Sequence, residues 1–222
     1  MPEFDWIFRE IASGIKAVVD RFMESPYLFY SEQDMHAYLY HKLISGKLGE
    51  VFVETSFGDR TVLVHKEYPT LGKYAGPKGT WTRGHFDLAI VDPEHASESH
   101  WRTHHTEPPY ARHRLKAAVE FGLNAIGTTK LDLTHFRKDL ARLTDPASMV
   151  ERGYLLFFVR RQDYPADSGM LDIIDPLPEK IELEIGENRH RADNLVVVYA
   201  ECLSPASSRL KIIPQDRAAW VG

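Results

Sequence analysis

Six consecutive residues, Tyr154-Leu155-Leu156-Phe157-Phe158-Val159, carry apolar or aromatic side chains with no charged or amide residue among them. Successive residues of a strand point to opposite faces, so a strand with one wet face alternates polar and apolar side chains. This run does not alternate. A strand here has to be covered on both sides, as in a sheet sandwiched between helices. The chain therefore reads as α/β, a mixed sheet flanked by helices, and its other periodic segments are assigned within that frame.

Phe4 to Met23 predicts a helix, with Ile7, Ile11, Ile15, Val18 and Phe22 at three- or four-residue steps and Ser25-Pro26 closing it. It reads as an accessory packing helix. Ser31 with Asp34 forms a capping-box pattern that opens a second helix, running to about Leu43 with Met35 and Leu39 on its inward stripe, before Gly46 and Gly49 end it. The period then changes. Thr61 to Tyr68, Gly84 to Val91 and Leu115 to Phe121 predict three strands, separated by turn material such as Gly72, Gly76-Pro77, Gly79 and Pro93. A helix follows from about Leu131 to Leu143, with Leu133, Phe136, Leu140 and Leu143 on one face, and then the strand Gly153 to Arg160. Leu195 to Glu201 predicts a later strand at a sheet edge or in a small extension. The core order from 31 to 161 is thus α-β-β-β-α-β, with residues 1–30 as an N-terminal helical addition and 162–222 as a C-terminal extension.

With 222 residues and no Ser/Gly-rich linker, the chain is expected to form a single domain. Apolar residues at 43% and charged residues at 27% fit a globular protein with little room for long disorder. The one cysteine, Cys202, lies in an apolar run and reads as a small buried hydrophobe in a reducing, cytoplasmic setting. The start Met1-Pro2-Glu3-Phe4-Asp5-Trp6 lacks the pattern of a signal peptide, and no apolar run reaches transmembrane length, so no membrane association is expected. A formal net charge of -5 argues against a uniformly basic nucleic-acid binder and leaves a local positive surface open. Nothing in the chain decides its oligomeric state, and homo-oligomerisation stays open.

Two acids interrupt the strand-forming runs. Asp87 stands in Gly84-His85-Phe86-Asp87-Leu88-Ala89-Ile90-Val91, and Glu120 stands near the end of Leu115-Lys116-Ala117-Ala118-Val119-Glu120-Phe121-Gly122. A desolvated carboxylate is costly without a partner, and two on neighbouring strands repel unless a cation lies between them. Hard oxygen ligands of this kind suit Mg²⁺ or Mn²⁺, which keep waters and can meet a phosphate oxygen. A structural alternative is an ion pair of these acids with Arg83, His85 or Lys116.

The element order, with Asp87 on the second strand and Glu120 on the third, resembles the PD-(D/E)xK, restriction-endonuclease-like nuclease superfamily over about residues 31 to 161. The resemblance implies that Asp87 and Glu120 bind a divalent metal, that a lysine two residues after the Glu helps position or activate water, and that a carboxylate on the first helix assists. Phe86 occupies the place of the namesake Pro. Gly122 occupies the place of the Lys, and a glycine supplies neither charge nor proton. Migrated bases are therefore sought elsewhere. A turn of about 100° per residue puts Arg137 beside the apolar stripe of its helix and Lys138 nearly opposite; Arg137 is the first candidate and Lys130 the next. Lys116 shares the face of Glu120 about two pleats away, and Asn124 is a further polar group. Glu32, on the inward face of the first helix, matches the helper carboxylate or simply complements the helix dipole. Glu67 ends the first strand and either faces the site or lies exposed.

The insertion from Asp92 to Arg114 is too long and polar for a tight hairpin and reads as a loop beside the acidic strands. Within it His100, His104 and His105 resemble metal-ligand spacing without a cysteine partner, and a solvated loop is the simpler reading. Trp101, Arg102, Tyr110, Arg112 and Arg114 form a basic and aromatic mixture suited either to gripping a nucleic-acid strand or to anchoring the loop. The expected function is divalent-metal-dependent hydrolysis of phosphodiester bonds in DNA or RNA. The alternatives are a catalytically inactive nuclease-like fold acting as a nucleic-acid or protein binding module, and an enzyme acting on a small phosphorylated substrate.

Overall fold

The computed structural model describes residues 5–54, 60–75, 81–94, 114–124, 133–164, 169, 171–187, 194–204 and 207–213. Lys130, the side chain of Arg83 and the loop residues His100, Trp101, Arg102, His104, His105, Tyr110 and Arg112 lie outside the described residues.

The helices are α1 (Asp5–Glu24), α2 (Glu32–Ile44), α3 (Lys47–Glu50), α4 (Thr134–Thr144), α5 (Leu171–Ile174) and α6 (Leu177–Glu187). The strands are β1 (Phe52–Glu54), β2 (Arg60–Val62), β3 (Val64–Ala75), β4 (Trp81–Val91), β5 (Leu115–Asn124), β6 (Val150–Arg160), β7 (Leu195–Ser204) and β8 (Ser207–Ile213). β1 and β2 form a small antiparallel pair. The other strands make one mixed sheet in the order β3-β4-β5-β6-β7-β8, antiparallel at both ends and parallel from β5 to β7.

Helices cover both faces. On one, Ile7, Ile11, Ile15, Val18 and Phe22 of α1 and Met35, Leu39 and Leu43 of α2 pack on Leu88, Ile90, Val119, Phe121, Leu156, Phe158 and Val198. On the other, Phe136, Leu140 and Leu143 of α4, Ile174 of α5, and Leu177 and Ile181 of α6 pack on Ala118, Leu155, Phe157, Val159, Val197 and Tyr199. Alternate residues of β6 thus feed two separate cores. That is what its unbroken apolar run requires.

The structure differs from the sequence expectation at two of the expected strands. β7 is an interior strand and not an edge, because β8 closes against it and its Val196 to Ala200 are buried on both faces. The strand expected over Thr61 to Tyr68 divides into β2 and β3. α1 packs as expected, with its five inward residues fully buried. Its approach to α2 is close enough that a Cβ on Gly14 would stand 2.9 Å from Leu39 Cδ1.

α2 opens with a reciprocal capping box: the Ser31 N–H donates to Asp34 Oδ2 at 2.8 Å, and the Asp34 N–H reaches back to Ser31. This cap holds Glu32 in the first turn, over the sheet.

Candidate metal centre

The ladder between β4 and β5 pairs Leu88 with Val119 and continues towards Val91 and Leu115. It stops one step short of Asp87 and Glu120. Along β4 the alternation also breaks, because Phe86 joins the core under α4 while Leu88 and Ile90 join the core under α1 and α2. On the other neighbour, Lys66 pairs with Leu88 and Tyr68 with Phe86, so Glu67 stands across from Asp87. Glu67 has φ +50°, in the left-handed region that a non-glycine residue enters only at a local distortion. The three strands are therefore irregular at one level. Asp87 fills the resulting fork, where its Oδ2 accepts the Phe121 N–H at 2.7 Å in place of a ladder carbonyl.

From the α2 side, His36 brings its Nε2 to 3.1 Å from Asp87 Oδ2, and Glu32 Oε1 lies 3.9 Å from the same nitrogen. The ring of His36 is buried beside that of Phe121, with centroids 4.9 Å apart. Neither His36 nitrogen makes a hydrogen bond despite this burial. One donor atom from each of Glu32, His36 and Asp87 lies within 4.8 Å of the others. Neighbouring ligands of a six-coordinate ion with bonds near 2.1 Å stand about 3 Å apart. The His36 to Asp87 contact has that separation without hydrogen-bond geometry, so the trio fits a divalent cation.

From the α4 side comes a guanidinium. Arg142 Nη2 is 3.1 Å from Glu120 Oε1 and also pairs with Asp139, while Nη1 donates to the His85 carbonyl at 2.8 Å. Glu120 is 1% exposed, and burial pushes its carboxyl well above the usual range; Arg142 opposes this, and the charges of Asp87 and Asp139 reinforce it. Asp139 is pushed up to about 6, chiefly by burial against the pull of Arg142. Glu32, whose side chain is 43% exposed, is pushed up to about 7 by partial desolvation at the fork and then by the Asp87 charge, with His36 acting the other way.

Of the residues singled out from sequence, the fold brings Glu32, Asp87 and Glu120 to this fork, but the donor trio joins Asp87 to Glu32 and His36, while Glu120, expected to share the ion with Asp87, lies against Arg142 instead. It commits Arg137 to Glu184 of α6, and Lys116 to Glu151 at 2.8 Å and Asp92 at 3.6 Å. Glu67 Oε1 reaches to 4.0 Å from His36 Nδ1. The His85 side chain is exposed, and only its carbonyl enters the site. Gly122 abuts an aromatic ring, for a Cβ there would lie 2.9 Å from Phe157 Cδ2.

Two site residues escaped the sequence reading. His36 follows Glu32 by one helical turn, so the two share a face. Arg142 had a weaker signal: Asp139 falls three residues after Phe136 and four before Leu143, an acid on an apolar stripe that calls for a cation. Comparison with family models, with curated proteins and with solved structures finds no match to this chain.

Proposed function

We propose that the protein is a divalent-metal-dependent nuclease that hydrolyses phosphodiester bonds of nucleic acid. The observation that carries this reading is the meeting of Glu32, His36 and Asp87 donor atoms at the β4/β5 fork, with Glu120 and Arg142 beside them. The order α2, β3, β4, β5, α4, β6 around the main sheet, interrupted after α2 by α3 and the β1/β2 pair and with the acids on β4 and β5, supports the resemblance to the PD-(D/E)xK superfamily.

Glu32, His36 and Asp87 would hold the ion. An ion held there would supply positive charge for a phosphoryl oxygen and would lower the pKa of a bound water. An imidazole among carboxylates favours Mn²⁺ over Mg²⁺, because nitrogen ligands suit the later metal better. The Phe121 N–H fixes one oxygen of Asp87 and leaves its carboxylate oriented within the fork. Arg142 keeps positive charge at Glu120, on the strand where Gly122 supplies none.

The test is to incubate the purified protein with single- and double-stranded DNA and RNA in Mn²⁺ or Mg²⁺. Cleavage is expected, stronger in Mn²⁺, and Asp87→Asn or Glu120→Gln should lower it by at least about 10²-fold. Cleavage that persists unchanged in both variants sinks the assignment. Gly122, together with the neutralising contact of Arg142 on Glu120, favours a second reading as a non-hydrolytic binding module. Association with nucleic acid or protein that survives chelation, without cleavage in any metal, decides for it.

A further inference from the structure

We infer that Arg142 is a built-in second cation, so that the fork takes one divalent ion per chain, on Glu32, His36 and Asp87, and not a pair of ions astride Asp87 and Glu120. The inference rests on the metal-binding reading above and says what that reading leaves open, namely how many ions the acids accept and where.

Asp87 stands between two unlike half-sites. On the α2 side are a partly exposed carboxylate and a buried imidazole whose two nitrogens have no hydrogen-bond partner. That half is short of a cation. On the α4 side are two buried carboxyls, Glu120 and Asp139, and there a cation is already part of the chain in ion-pair contact with both, although Glu120 Oε1 and Arg142 Nε make no hydrogen bond. The Arg142 guanidinium is held by Asp139, by Glu120 and by the His85 carbonyl, three anchors from α4, β5 and β4.

A guanidinium stays protonated at any working pH and is planar, so three anchors fix both its position and its orientation. A second divalent ion at Glu120 would have to expel this group from a buried site. It would leave the Arg142 charge without its two carboxylates, at a cost that grows with burial. The glycine at 122 fits the same arrangement, since Phe157 fills the space where a lysine on β5 would start and the cation arrives from α4 instead. Arg142 is thereby a positioning residue, acting on Glu120 and through it on Asp87.

The experiment counts ions on the full chain by calorimetric titration with Mn²⁺, with unbound Mn²⁺ read by electron paramagnetic resonance. Wild type is expected to take up one ion. The doubly neutral Glu120→Gln/Asp139→Asn protein should still take up one, with an affinity within about tenfold, because neither residue holds the ion. Arg142→Met should open the α4 half-site and raise the count to two, while Arg142→Lys should keep it at one. Thermal melts show which variants are folded, and if Arg142→Met is not, the wild-type and doubly neutral proteins decide alone. Two ions on wild type, or loss of binding in the doubly neutral protein, overturn the inference and leave the metal centre standing. A folded Arg142→Met protein that still binds a single ion also overturns it. No uptake by wild type at millimolar Mn²⁺ removes the metal centre itself, and the inference with it.

Discussion

Glu32 and Asp139 hold their protons to about pH 7 and about pH 6 in the folded chain, later than free carboxyls do. A carboxyl whose folded pKa is raised contributes stability that is whole below its unfolded pKa and is lost as pH rises through the folded value. For Glu32 the loss falls between about pH 4.5 and 7. The Glu32→Gln protein, which cannot ionise there, is expected to gain in melting temperature on wild type across that window in metal-free buffer. A difference that does not move with pH overturns the shift. Metal uptake needs the same proton removed, so Mn²⁺ affinity should climb over the same interval. At position 122, a lysine would place its Cβ against the Phe157 ring. Gly122→Lys is expected to destabilise the fold by about 1–3 kcal/mol through overpacking and to lower cleavage, read by denaturant melts and by turnover. Asp87 and Glu120 were legible in the sequence because a charge inside an apolar strand is conspicuous. His36 and Arg142 were not, because their pairing depends on how α2 and α4 dock. Whether Arg137, Lys138 or Arg142 meets the sheet is set by the seating of Phe136, Leu140 and Leu143, which no single residue reveals.

Among elements, those with strong periods were read to within a few residues: α1, α2, α4, β5 and β6. α6 was overlooked, although Leu177, Ile181 and Ile185 recur at four-residue steps, because its apolar stripe is narrow and Leu183 is 64% exposed. β7 is expected at an edge or in a small extension for want of any sign of β8, whose described side chains are exposed or half-buried and include Arg209 and Lys211. An edge strand of mixed polarity gives little signal, but its presence turns its neighbour into an interior strand. α1 shows how burial outweighs position in the chain. Ile11 is fully buried between helix and sheet, and Ile11→Ala is expected to cost about 2–5 kcal/mol, read as a lowered denaturation midpoint. A loss of under about 0.5 kcal/mol, the ordinary range for a surface site, would mean that α1 is dispensable.

At the scale of the molecule, the two cores meet through β6, whose Leu156 and Phe158 serve one side and Leu155 and Phe157 the other. Such sharing predicts one cooperative unit. Unfolding in urea followed by far-ultraviolet circular dichroism and by tryptophan fluorescence should give coincident transitions, whereas separate midpoints would mean that the segments outside 31–161 unfold independently. The parallel stretch from β5 to β7 also has a consequence for how the protein is made. A ribosome releases β6 some 35 residues before the strand that covers its second edge, counting from Arg160 to Leu195. Throughout that interval the most apolar strand of the nascent chain has a bare edge, the kind of surface on which unfinished chains pair with one another. Synthesis halted between 160 and 195 would yield a sticky fragment already carrying Glu32, His36, Asp87, Glu120 and Arg142. Every group of the candidate centre would then have been made, with the sheet that holds them in place still open.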